Sequence, residues 1–113
     1  MNYNVNERYG SVVIELKGKV MGGPDAETFR DTLHDLIEDG KTNVVVDLSD
    51  VKFMNSSGLG ILIGGLTTMR NAGGDLKICS ATENVRSMLM VSQILKVFDH
   101  YDTLDEALEA YRE

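Results

Sequence analysis

Val44-Val45-Val46-Asp47-Leu48-Ser49-Asp50-Val51-Lys52-Phe53-Met54 runs directly into Asn55-Ser56-Ser57-Gly58-Leu59-Gly60-Ile61-Leu62-Ile63. Val44 to Leu48 is β-branched and nearly all apolar, as expected of a central strand covered on both faces. Beyond Asn55 the spacing becomes helical, and Leu59, Leu62, Ile63, Leu66 and Met69 are expected to form the buried stripe. A strand therefore ends and a helix begins at two adjacent hydroxyls. The first N–H groups of a helix lack internal acceptors, and the aligned peptide dipoles add partial positive charge there. A serine at that point can cap the helix, carry a phosphate or act as a nucleophile.

Toward the N-terminus, Tyr3 and Val5 alternate with polar residues, Tyr9-Gly10 makes a turn, and Val12, Ile14 and Leu16 alternate again. That pattern predicts a hairpin whose second strand faces a core. Gly18 to Gly23 reads as a glycine-rich loop, and Pro24 suits the first position of a helix. Ala26, Phe29, Leu33, Leu36 and Ile37 recur at helical spacing in it, Asp25 and Glu27 lie near its positive end, and Gly40 is its stop. Toward the C-terminus, the helix after the serines ends at Gly73-Gly74, and Asp75 to Cys79 is a fourth strand. Ser80-Ala81-Thr82-Glu83 reads as a capping box opening a helix through Val85, Met88 and Leu89. Val97 and Phe98 are expected to form a short apolar segment. Thr103-Leu104-Asp105-Glu106 is a second box, with Leu104, Ala107, Leu108 and Tyr111 on one helical face.

This order predicts an α/β fold: an N-terminal hairpin, then parallel strands, in one mixed sheet of about four to five strands with about four helices and right-handed crossovers. In such sheets the working site lies beyond the carboxyl ends of the strands. The serine pair occupies that position, and the loop after the second strand is expected to neighbour it.

A chain of 113 residues is expected to be one domain, spanning 1–113. A formal charge of −7 weighs against nucleic-acid or anionic-membrane binding, which relies on clustered Lys and Arg. The one cysteine, Cys79, lies in an apolar stretch and reads as a buried, reduced thiol. Met1 to Asn6 lacks the pattern of a secretion signal, and Gly58 to Leu66 is too short to span a bilayer. A cytoplasmic protein without direct membrane insertion is the expectation.

Catalysis is not expected. The two histidines, His34 and His100, lie in polar surroundings that predict solvated side chains rather than partners of a nucleophile. A Gly-x-Ser-x-Gly elbow, a phosphate-binding loop and a His/Cys metal cluster are all missing, so no catalytic, cofactor-binding or metal residue is assigned. Glycines in the helix after the serines call for a reason, since each costs about 1 kcal/mol relative to alanine in a helix interior. Gly58, Gly60, Gly64 and Gly65 either pack tightly on the sheet or, as with Gly60 and Gly64 one turn apart, leave a flat face for a partner. Ile61 is expected to lie off the buried stripe, in that face. Different glycines can serve each purpose.

The apolar strand, Phe53-Met54, Asn55-Ser56-Ser57-Gly58-Leu59-Gly60 and the later Gly73-Gly74 resemble the core of the STAS domain found in bacterial anti-sigma factor antagonists. Ser92-Gln93-Ile94-Leu95-Lys96-Val97-Phe98 is similar to the family's later segment. The resemblance implies a partner-switching regulator of transcription. It would bind an anti-sigma factor that is also a serine kinase, be released when phosphorylated, and be reset by a serine phosphatase. By position, the resemblance makes Ser56 the phosphoacceptor and Ser57 the runner-up. The implied partner surface comprises Met54, Asn55, Ser56, Ser57, Gly58, Gly60, Ile61 and Gly64, with Met21 and Asp25 beside it. Two residues depart from the family pattern. Asn55 replaces an Asp, and Gly18-Lys19-Val20-Met21-Gly22-Gly23 lacks the acid usual in that loop, for which Asp25 is a candidate substitute. A STAS module that docks constitutively and is never phosphorylated, such as an accessory subunit of a transport system, is the alternative.

Overall fold

The computed structural model describes residues 2–93 and 96–112. Strands β1 (Asn2–Arg8) and β2 (Ser11–Val20) form an antiparallel hairpin in which Arg8 faces Ser11. Tyr9 and Gly10 both have positive φ, 54° and 80°, the mirror-image turn whose twist matches a two-residue hairpin. Helix α1 (Pro24–Glu38), strand β3 (Asn43–Met54), helix α2 (Ser56–Asn71), strand β4 (Asp75–Cys79), helix α3 (Glu83–Val91), strand β5 (His100–Tyr101) and helix α4 (Leu104–Arg112) follow. The sheet order is β1-β2-β3-β4-β5, antiparallel only between β1 and β2. The expected mixed α/β sheet is thus the observed one.

The period of two along each strand divides the core into two layers. Val12, Ile14, Leu16, Val44, Val46, Leu48, Leu76 and Ile78 share one buried cluster with Phe29 and Leu33 of α1, Leu59, Leu62 and Leu66 of α2, and Val85 and Leu89 of α3. Val13, Val45 and Cys79 pack with Ala107 and Leu108 of α4 in a smaller cluster. Tyr111 anchors α4 by donating its hydroxyl hydrogen to the Val44 carbonyl at 2.7 Å. Its ring also lies 4.8 Å from the ammonium of Lys77, a buried cation paired with Asp99 at 3.0 Å and Asp75 at 3.4 Å.

Several local expectations are corrected. The glycine-rich stretch is largely strand: β2 continues through Lys19 opposite Phe53 and Val20 opposite Met54, leaving only residues 21–23 as loop. A register shift between Gly18 and Lys19 lets the ladder continue, and Gly18 sits there with φ 77°. In α2, Ile61 is buried and Ile63 is exposed, the reverse of the expected stripe. The helix packs on α1 as well as on the sheet, so its buried arc turns toward α1 and takes in Gly58, Ile61 and Gly65.

The first capping box does not form. Thr82 is the N-cap of α3 without a side-chain cap bond, and its hydroxyl reaches the Val51 carbonyl at 3.5 Å. The second opens as expected, with the Glu106 N–H donating to Thr103 Oγ1 at 3.2 Å. Strand β5, two residues long, is not among the elements expected from the sequence. There His100 is half-buried rather than solvated, and its Nε2 is enclosed without a hydrogen-bond partner among the described residues. Of the later segment, Phe98 is buried and Val97 exposed, while Ile94 and Leu95 lie outside the described residues.

Candidate functional site

The end of β3 delivers Asn55 in an extended conformation, φ −105°, at the point where α2 begins. Its Oδ1 accepts the Gly58 N–H at 2.8 Å, and its own N–H donates to the Val20 carbonyl at 3.3 Å. Asn55 therefore caps α2 and ties that cap to the end of β2. Ser56 and Ser57 occupy the first two helical positions, both exposed, and neither hydroxyl is hydrogen-bonded among the described residues. The serines are not needed for capping.

The two serines face different neighbours. Gly22, at φ 87°, lies so close to Ser57 that a Cβ there would sit 2.6 Å from the Ser57 Cβ. Loop 21–23 thus lies against the start of α2, as expected, and Met21 is exposed on it. Ser56 opens into a groove of about 510 Å³ between the end of β3 and α3, lined also by Lys52, Phe53, Met54, Asn55, Asn84, Val85 and Met88. A smaller groove of about 220 Å³ runs between α1 and α2 over Phe29, Leu33 and Ile61, rimmed by Ala26, Arg30, Gly60, Gly64, Gly65 and Thr68.

Both readings of the α2 glycines hold, for different residues. A Cβ on Gly58 would overlap the Val20 carbonyl oxygen, and one on Gly65 would come within 3.1 Å of Leu33 and Leu76 and 3.0 Å of Phe29. At Gly60 and Gly64 it would meet nothing within 4 Å. Gly58 and Gly65 thus permit close packing, while Gly60 and Gly64 face open space.

Among the residues expected at a partner surface, Met21, Ser56, Ser57, Gly60 and Gly64 are exposed, Asn55 and Asp25 are partly buried, and Met54, Gly58 and Ile61 are buried. Met54 and Ile61 still contribute to the groove walls. Asp25 lies in the first turn of α1 and is engaged in an interaction of its own. Lys52, Phe53, Asn84 and Met88 are not among the site residues expected from the sequence. Phe53 carried a usable signal, an aromatic residue immediately before the motif, and it is 48% exposed. Asn84 and Met88 carried none, because α3 reaches this groove only through tertiary folding.

The chemistry available here is that of an accessible hydroxyl at a helix N-terminus. Burial pushes the Cys79 thiol up to about 12, with Asp47 adding to the shift, so it is not a nucleophile near neutral pH. Among the described residues, no group of three or more His, Cys, Asp or Glu is placed to hold a metal ion, and no helix is long and apolar enough to cross a membrane.

The family model of the STAS domain matches residues 2–107. This chain belongs to the STAS domain family. Its sequence is 32% identical over 66 residues to the anti-sigma F factor antagonist of Paenibacillus polymyxa, covering 58% of this chain and 56% of that one. The crystal structure of an anti-sigma factor antagonist from Mycobacterium paratuberculosis superposes with a TM-score of 0.84 at 26% identity, over 99% of this chain and 94% of that one. The Bacillus cell fate determinant SpoIIAA in its phosphorylated form shares the fold at a TM-score of 0.74 and 21% identity, over 97% of this STAS chain and 99% of its own.

Proposed function

We propose that this STAS protein is an anti-sigma factor antagonist acting in the cytoplasm by partner switching. Unmodified, it docks an anti-sigma factor that is also a serine kinase, through the surface around the start of α2. Phosphorylation of Ser56 releases it, and a serine phosphatase restores docking. The observation that carries this reading is the exposed Ser56 hydroxyl, free of hydrogen bonds among the described residues, beside a cap made wholly by Asn55. The names of its antagonist relatives support the same role.

Phosphate adds about −1.5 to −2 charges. A helix N-terminus accommodates that charge well, so modification leaves the fold in place and acts on the docked partner through bulk, desolvation and repulsion. A pull-down from native lysate with wild type, Ser56→Ala and Ser56→Asp, read by mass spectrometry, tests the switch. Wild type and Ser56→Ala should recover an anti-sigma factor that Ser56→Asp does not. With ATP, the recovered kinase should phosphorylate wild type and Ser57→Ala but not Ser56→Ala. Equal recovery by Ser56→Asp would refute the switch.

One observation favours a second reading. Asn55 stands where the family carries Asp and is fully employed as a cap, which suits a module that docks constitutively and is never phosphorylated. Under that reading the partner is retained in the presence of ATP. The relatives' names do not favour a transport accessory.

A further inference from the structure

The groove beside Ser56 has an apolar wall that the motif does not account for. Phe53 is 48% exposed at the end of β3, and Met88 faces it from α3. Asn84, Met88 and Val91 lie at i, i+4 and i+7, so they share one helical face, and Val91 is 85% exposed. Large apolar side chains clustered on a rim of polar ones mark an interaction surface rather than ordinary exposure.

The charge of this groove is also unusual for the chain. The protein carries −7 overall, yet among the described residues no carboxylate lines the groove and Lys52 does. Among the described residues, Lys41, Arg70, Lys77, Arg86 and Arg112 are engaged in ion pairs with Asp or Glu. Lys52 has no ion pair among the described residues. A partner that matches this wall presents an apolar anchor next to a carboxylate.

We propose that the groove lined by Phe53 and Met88, and continued along the same face of α3 by Val91, with Lys52 and Ser56 on its rim, seats an apolar side chain of the anti-sigma factor flanked by an acidic one. This rests on the proposed antagonist role and names the element recognised. The apolar anchor packs between Phe53 and α3, and the carboxylate pairs with Lys52. Because Ser56 lines the same groove, a phosphate there meets the partner's carboxylate with like charge and competes with it for Lys52. The docking element and the switch therefore share one pocket.

The anti-sigma factor recovered by the wild-type chain, purified and titrated by calorimetry, tests this. Phe53→Ala and Val91→Asp should each weaken binding at least tenfold while the far-UV spectrum and thermal midpoint stay near wild type. Lys52→Glu should weaken it comparably at low salt and less at high salt, and a Glu→Lys or Asp→Lys substitution in the partner should restore it. If Ser56→Asp abolishes binding while Phe53→Ala, Val91→Asp and Lys52→Glu all bind as wild type, the groove assignment is wrong and the switch stands. If the wild-type chain recovers no anti-sigma factor, both fall together. If Phe53→Ala unfolds, Val91→Asp decides, since its side chain is almost fully in solvent.

Discussion

Gly60→Ala and Gly64→Ala are expected to stabilise the protein, and Gly58→Ala to destabilise it, although all three replace glycine by the best helix former. Gly60 and Gly64 lie inside α2, away from the positive-φ glycines, with open space where a Cβ would go. Each substitution should contribute about 0.8–1.0 kcal/mol, so the pair contributes about 2 kcal/mol. With a urea slope of about 2 kcal/mol/M, the midpoint of the double variant rises by about 1 M. At Gly58 the same propensity gain is overwhelmed. The added Cβ overlaps the Val20 carbonyl oxygen, which cannot move freely because it accepts the Asn55 N–H, and lies 2.9 Å from Met54 Cγ. Overpacking of this kind costs about 1–3 kcal/mol, and overlap with backbone falls at or above the top of that range, leaving a net loss of about 2 kcal/mol or more. Urea unfolding followed by far-UV circular dichroism measures wild type, the three single variants and the double variant. A Gly58→Ala midpoint equal to wild type, or a lowered one for Gly60→Ala and Gly64→Ala, would show that packing and open faces have been divided wrongly along α2.

Removing the cap acceptor in Asn55→Ala leaves the Gly58 N–H without its partner and should cost about 1 kcal/mol in the same assay. Asn55→Asp should retain the cap and gain from the helix dipole, yet lose more thermal stability than wild type when Ser56 is phosphorylated, because two anionic groups are then neighbours. At alkaline pH the protein should weaken. Burial raises the Cys79 thiol from 9.0 to about 12 and, with Asp75, raises Tyr111 as well. Burial opposes the Lys77 charge, but the Asp99 hydrogen bond and nearby anions leave its pKa raised. All three groups hold a proton more tightly when folded, so stability complete below pH 9 declines as pH rises toward 12, and urea midpoints across that range check it. Cys79→Ala should flatten the start of that decline. On the acid side, burial and then Arg86 lower the His100 pKa below 6.5, so stability present above that value falls as pH drops through it, and His100→Gln should blunt the fall.

What could be read from the sequence was what neighbouring residues decide. The apolar run Val44 to Leu48 and the change of period at Asn55 depend on adjacent residues alone, and both appear where expected. Ile61 and Ile63 exchanged roles because periodicity measures the width of an apolar face but not its direction. That direction depends on α1, which lies 32 residues earlier at Phe29 and packs on Gly65. Gly18 to Gly23 looked like a loop because glycine usually marks one, whereas a register shift carries the ladder to Val20. The two-residue strand β5 is too short to show any period. At the candidate site, the helix start at Asn55 and Ser56 was legible from the local pattern, but the wall formed by Asn84, Val85 and Met88 depends on where α3 settles.

Capping and the proposed switching fall on adjacent residues, and the chemistry of Asn55 is what separates them. A serine that capped α2 would lose its hydrogen bond to Gly58 on phosphorylation, and part of the modification energy would go into reshaping the helix end. With Asn55 Oδ1 already accepting that N–H at 2.8 Å, the Ser56 oxygen has no hydrogen bond to break among the described residues. The amide also carries no charge, so a phosphate on Ser56 meets the exposed helix end and the Lys52 side of the groove without facing a like charge from the cap. The fold therefore accepts the phosphate at little cost, and the penalty is left to whatever is docked in the groove. Under the proposed switch, Asn in place of Asp at this position would make release less dependent on the protein's own stability and more dependent on the partner's carboxylate.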